Sequence, residues 1–100
     1  MGLKATDTGY LYRNLVAKSY KTTITGIIYT VPAGKIFEGT VTSDNPVNTC
    51  NYQLSGEQLT VGLGTYGYVP PVTKYGPGTT FAYVSSSAMV IQGIEYDNEI

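Results

Sequence analysis

Histidine and tryptophan are absent from this chain, cysteine occurs once, and charged side chains make up only 13% of its 100 residues. Each shortage removes a class of chemistry. Without histidine there is no imidazole base, no imidazole metal ligand and no His-dependent triad. With Cys50 alone, an internal disulfide and any paired-cysteine redox or zinc site are excluded. Nothing basic stands beside Cys50 in the sequence to lower its pKa, so it reads as an ordinary thiol. Six basic and seven acidic residues give a net charge of −1. With no basic run, the electrostatic basis for nucleic-acid or anionic-membrane binding is missing. No apolar run approaches the roughly 18 residues of a membrane span, and the segment from Met1 to Asp7 lacks the apolar core of a secretory leader. The protein is expected to be made in the cytoplasm. Gly2 and Thr6 match the loose myristoylation pattern, but no polybasic partner accompanies them and no anchor is assigned.

What is plentiful is tyrosine, with 10 of the 12% aromatic residues, together with threonine and 12 glycines. This is a β composition, and the length allows one domain with one modest core. The segment 1–21 is polar and irregular, its apolar clusters being Tyr10-Leu11-Tyr12 and Leu15-Val16-Ala17. It reads as an arm contacting a neighbouring subunit, with the β-sandwich domain spanning 22–100. From Thr22 to Val31 β-branched residues dominate, and period two puts Ile27, Tyr29 and Val31 on one face. Pro32-Ala33-Gly34 ends this strand, and a second follows from Lys35 to Ser43 with Phe37 and Val41 inward.

A short strand is expected around Asn51 to Leu54, then a Ser55-Gly56 turn, then the clean alternation Leu59, Val61, Leu63 facing the core. Gly64 to Gly78 is rich in Gly, Tyr and Pro and reads as one long loop, functional or held by a partner. Two strands close the chain, Thr79 to Val84 and Ala88 to Tyr96. The last has Met89, Val90, Ile91 and Ile94 apolar on both faces, the mark of a central, covered strand or of a subunit interface. The expectation is an all-β, single small β-sandwich, jelly-roll-like, with about six to seven antiparallel strands and an extended N-terminal arm.

Motifs with catalytic potential do not hold their context. Gly62-Leu63-Gly64-Thr65-Tyr66-Gly67 spells GxGxxG, but it leads into Tyr68-Val69-Pro70-Pro71, which cannot continue the helix that a dinucleotide fingerprint requires. Glu95, Asp97 and Glu99 alternate near the end of the chain and read as a solvated tail rather than a cation site. A glycosidase pair needs two carboxyl groups roughly 5 to 9.5 Å apart, which sequence spacing leaves open. No catalytic, cofactor-binding or metal-ligating residue is assigned. Tyrosine has a broad apolar face, a polar tip and little rotamer entropy to lose, so it suits contact surfaces. The partner-contact candidates are Tyr10, Leu11, Tyr12 and Leu15 in the arm and Tyr66, Tyr68 and Tyr75 in the loop.

Three stretches resemble small bacteriophage virion proteins: Ile28-Tyr29-Thr30-Val31-Pro32-Ala33-Gly34, Gly76-Pro77-Gly78-Thr79-Thr80, and Ser86-Ser87-Ala88-Met89-Val90-Ile91-Gln92-Gly93-Ile94-Glu95-Tyr96. The resemblance covers residues 22–96 and rests on turn chemistry. It implies a compact sandwich, often a jelly roll, and a structural role without enzymatic activity. The expected protein is a capsid decoration or cement protein on the outer surface of the virion. It binds the major capsid protein, or tail subunits, as a homo-oligomer with a trimer favoured, and carries no cofactor. The alternative is a tail, adaptor or fibre subunit with a receptor- or glycan-binding role.

Overall fold

A computed structural model describes residues 13–45, 48–62 and 72–98. These form eight strands: β1 (Val16–Thr22), β2 (Gly26–Thr30), β3 (Lys35–Ser43), β4 (Thr49–Leu54), β5 (Glu57–Gly62), β6 (Thr73–Tyr75), β7 (Thr80–Ser86) and β8 (Met89–Asp97). All pairings are antiparallel, and four of them are nested: β1 with β8, β2 with β7, β3 with β6, β4 with β5. The chain is thus one long hairpin folded at the β4–β5 turn. Two further pairings, β3 with β8 and β4 with β7, roll that hairpin into two four-stranded sheets, β1-β8-β3-β6 and β2-β7-β4-β5. This order is a jelly roll, as expected, with eight strands rather than six or seven. No helix long and apolar enough to cross a membrane occurs among the described residues.

The two extra strands are the two edges of one sheet. Residues 16–21, read as the end of an arm, form most of β1, and β6 interrupts what reads as a continuous loop. Edge strands bury little, so they need little apolar signal. β1 also carries Lys18 and Lys21, charges of the kind that keep an exposed edge from pairing with other chains. The expected strand from Thr22 to Val31 is split as well. The amide of Ile24 donates to Thr22 Oγ1 at 2.9 Å and Gly26 adopts a φ of 120°, and the chain crosses there from one sheet to the other.

Within β2 the register shifts between Ile27 and Tyr29, a bulge that breaks the period-two pattern. Tyr29 and Val31 are buried as expected, whereas Ile27 is 65% exposed. The β4–β5 hairpin closes through Ser55 and Gly56, with φ of 50° and 89°. Two positive φ values in a two-residue loop match the twist of the flanking strands.

Phe37, Phe81, Met89, Ile91, Val31 and Cys50 are fully buried. Leu59 and Val61 pack against this core as expected, and Leu63 lies outside the described residues. Rings cross the sandwich from edge to edge: Tyr20 on Tyr29 (5.2 Å), Tyr29 on Phe81 (5.6 Å), and Phe81 on Tyr75 (4.9 Å). Edge-to-face and offset ring pairs of this kind add to the stabilisation from area burial. β8 lies between β1 and β3, so its two-sided apolarity marks a central strand: Met89 and Ile91 face in, while Val90 and Ile94 remain half-buried on the outer face. At its middle Gly93 pairs with Gly39 of β3. A Cβ on Gly93 would stand 2.3 Å from the Glu38 carbonyl oxygen, and one on Gly39 would stand 2.7 Å from Cζ of Phe37. Glycine at both places lets the two strands approach under the Phe37 ring.

Candidate functional site

Tyr10, Leu11, Tyr12, Tyr66 and Tyr68 lie outside the described residues. The other two contact candidates occupy different surroundings. Leu15 precedes β1 and is 47% exposed. Its position is fixed by the two residues before it. Asn14 takes a φ of 56°, a conformation that Asn tolerates better than most residues, and its Nδ2 donates to Asp97 Oδ2 at 2.7 Å. The amide of Asp97 in turn donates to the carbonyl oxygen of Arg13 at 2.9 Å. Tyr75 stands on β6 rather than in a loop, its ring against Phe37 and Phe81.

Of the six described tyrosines, five contribute to the core between the sheets, while Tyr96, also buried, follows inward Glu95 and so falls on the outer face of β8. Tyr29, Tyr52, Tyr83 and Tyr96 are buried, and Tyr20 and Tyr75 pack against the core while half-buried. Among the described residues, tyrosine therefore supplies core material in this fold. Hydroxyls at the ends of the rings are met locally. Tyr83 donates to the carbonyl of Ser86, and Tyr96 donates to Glu38 Oε1 at 2.8 Å.

The carboxylates of β8 are likewise not a solvated tail. Counting in steps of two from Met89 and Ile91 brings Glu95 to the inner face, where it is buried and accepts a hydrogen bond from the Tyr29 hydroxyl at 2.6 Å. Burial, and then that hydrogen bond to the carboxylate, push the Tyr29 hydroxyl well above the ordinary range for a phenol. Asp97 accepts from Lys35 Nζ and Asn14, which together hold its carboxyl below the ordinary carboxylate value. Glu99 lies outside the described residues. The same period-two count was available in the sequence, but three acidic residues beside the chain end outweighed it.

Cys50 is fully buried, and burial followed by the nearby Asp44 pushes its thiol up to about 11. This keeps it protonated near neutral pH and agrees with its reading as an ordinary thiol. Among the described residues no three Cys, Asp or Glu side chains converge as a metal site. An open polar depression of about 310 Å³ is lined by Asn48, Thr49, Ser86 and Ser87, where β4 and β7 meet at one end of the sandwich. It offers hydroxyl and amide hydrogen bonds and no titratable group.

Four of the five exposed large apolar side chains among the described residues stand on or beside β1 and β2; the fifth, Val72, precedes β6 at the opposite edge of its sheet. Leu15 and Val16 stand at the start of β1, Ile24 in the connection to β2 and Ile27 on β2, all at least 47% exposed. β1 and β2 are edge strands of the two sheets, joined across the sandwich by the stacked rings of Tyr20 and Tyr29. Such a line of apolar side chains is chemically suited to contact. Of these, the sequence singles out Leu15 as a contact candidate and not Ile24 or Ile27, because a regular strand through residue 27 turns Ile27 inward. Compared with protein-family models, with curated proteins and with solved structures, the chain matches none of them.

Proposed function

We propose that the chain is a structural virion protein of the capsid decoration or cement type, which binds an assembled shell and holds neighbouring major capsid proteins together. The observation that carries this reading is the exposed apolar side formed by Leu15, Val16, Ile24 and Ile27 along the two adjacent sheet edges of a jelly roll. Jelly rolls recur in viral capsid and lectin domains, a fold-level analogy that adds weight without assigning a role. The contact is of the many-modest-contacts kind, with the apolar side chains as anchors and the segment preceding Leu15 extending the footprint.

A second reading, a tail or fibre subunit that binds glycans, is favoured by the hydroxyl- and amide-lined depression at Asn48, Thr49, Ser86 and Ser87. Quantitative mass spectrometry of purified particles separates the two. A shell protein is expected at hundreds of copies per particle and a tail subunit at far fewer. In a reconstitution on particles lacking the protein, Ile24→Ser/Ile27→Ser is expected to lower occupancy at least tenfold while retaining the β-rich circular dichroism spectrum. Absence of the protein from particles, or full occupancy by the double variant, overturns the cement reading.

A further inference from the structure

We propose that β5 is a strand-addition edge, pairing antiparallel with β5 of a second copy of this chain about a two-fold axis at Thr60. Each sheet ends in two edge strands, and three of these four edges are guarded. β1 carries Lys18 and Lys21, β6 is three residues long with Lys74 at its centre, and β2 is broken by its register shift and followed by Pro32. Charge, shortness, bulges and proline are the devices that keep a sheet edge from pairing with other chains. β5 lacks them. It runs six residues, Glu57–Gly62, in unbroken register with β4, without lysine or proline, and its one charge, Glu57, stands at the hairpin corner. Gln58 and Thr60 are exposed, and among the described residues β5 pairs with β4 alone.

The hairpin fixes which backbone groups are left over. Residues flanking a two-residue loop exchange both main-chain hydrogen bonds, here Leu54 with Glu57. The antiparallel ladder then bonds Leu59 and Val61 to β4 and turns the N–H and C=O of Gln58, Thr60 and Gly62 to the open side. The same alternation holds across β4, where the Thr49 carbonyl accepts from the Ser87 amide on the β7 side.

These groups call for an extended strand, and their spacing selects its register. With Thr60 opposite the partner's Thr60 and Gln58 opposite the partner's Gly62, all three residues exchange both bonds with the second copy. Sliding by two residues leaves a third of these groups unpaired. The full register also sets Leu59 opposite the partner's Val61 on the inner face, both half-buried in the single chain and packed against its core. Directly opposed aliphatic side chains of this kind stabilise a strand pair. The two Glu57 carboxylates fall at opposite ends, about 20 Å apart at about 3.3 Å per residue, well beyond the roughly 8 Å screening length in physiological salt. Main chain and side chains are therefore self-complementary in one register, which selects a second copy as the occupant and gives a closed pair. Strand addition draws its affinity from main-chain hydrogen bonds rather than from area. β2, with Ile27, is the opposite edge of this sheet, so the pairing leaves that side chain free and does not depend on the virion reading.

The test is sedimentation velocity of the full chain in physiological salt, at micromolar and at hundreds of micromolar concentration, with amide hydrogen exchange measured at both. The expected result is a concentration-dependent dimer in which the amides of Gln58, Thr60 and Gly62 exchange more slowly at the higher concentration, while those of β1 do not change. Thr60→Pro removes an amide that faces away from β4, so the hairpin ladder is kept. It is expected to raise the dissociation constant at least about tenfold with unchanged circular dichroism, through loss of the bonds at the axis. Thr60→Val keeps that amide and is expected to keep the dimer. A monomer at every concentration overturns the proposal, as does a dimer whose β5 amides gain no protection, one that Thr60→Pro leaves intact, or one that Thr60→Val abolishes. Should Thr60→Pro not fold, Thr60→Lys decides: like charges meeting at the axis are expected to separate the copies, and a dimer that persists overturns the proposal.

Discussion

Tyr29 and Glu95 bury a tyrosine hydroxyl and a carboxylate together, joined by a hydrogen bond of 2.6 Å. Tyr29 comes from β2 and Glu95 from β8, so their hydrogen bond ties one sheet to the other inside the aromatic cluster. Replacing Tyr29 by Phe keeps the ring contacts with Tyr20, Phe37 and Phe81 and leaves the buried carboxylate without this donor. A buried acceptor deprived of its partner costs about 1–3 kcal/mol. The same pair fixes the response to alkali. In the unfolded chain Tyr29 loses its proton near the ordinary phenol value of about 10, while in the folded protein it holds the proton to higher pH. Between those limits the folded state binds more protons, so its stability is complete below pH 10 and falls as pH rises. Tyr29→Phe is therefore expected to unfold at lower denaturant than wild type at pH 7. The gap should narrow as pH rises above 10, because the variant lacks that titration. Urea titrations at pH 7, 9 and 10.5 check this, and a gap that widens with pH refutes it.

Among the elements, the central pair β3 and β8 carries the tightest constraint and the edges the loosest. Gly39 and Gly93 oppose each other where backbone atoms crowd any Cβ, whereas Gly76, between β6 and β7, has nothing within 4 Å of that position. Gly93→Ala must push β8 away from Glu38 and is expected to cost about 2–3 kcal/mol, the scale of overpacking in a core. For a domain of this size that lowers the melting temperature by roughly 8–24 °C. Gly76→Ala is expected to stay within about 0.5 kcal/mol, as a surface substitution should. Thermal melts of both variants decide, and equal melting temperatures refute the argument. This contrast between centre and edge also explains what the sequence revealed. β3, β7 and β8 were legible because each buries a full face, β5 because Leu59 and Val61 alternate cleanly even at a sheet edge, and the β4–β5 turn because Gly56 accepts its positive φ. β1 and β6 were not, since an edge strand with one half-buried tyrosine has almost no periodic signal. Ile27 was misplaced because a bulge is a single extra residue, invisible to an alternation count. Of the exposed apolar side chains on the β1 and β2 edges, Leu15 was singled out in the sequence and Ile24 and Ile27 were not.

At the scale of the whole molecule, the nested pairing makes the fold symmetric under exchange of its two hairpin tips. One tip is the Ser55-Gly56 turn between β4 and β5, and the opposite end is where β1 and β8 lie side by side. There the described chain begins and finishes within one hydrogen bond: the Arg13 carbonyl accepts from the Asp97 amide at 2.9 Å. Joining residue 98 to residue 13 through a linker of about four glycine and serine residues, and opening the chain between Ser55 and Gly56, gives the strand order β5 to β8 followed by β1 to β4. Every pairing is kept and the nesting is unchanged, with β8–β1 as the new tip. Seven residue pairs at β1–β8 become local in sequence, and six at β4–β5 become distant. Because the entropy of closing a loop grows only slowly with its length, the exchange leaves the sum of closure costs nearly constant. The permutant is expected to show the β-sheet circular dichroism of the parent and a single cooperative melt within about 10 °C of it. The loss falls on the opened turn, whose strands now end freely. Its refolding rate, slow for a fold dominated by non-local pairings, is expected to stay within about tenfold of the parent. A permutant that fails to fold would show that the β4–β5 tip, rather than the nested pairing as a whole, must form first for the sheets to roll.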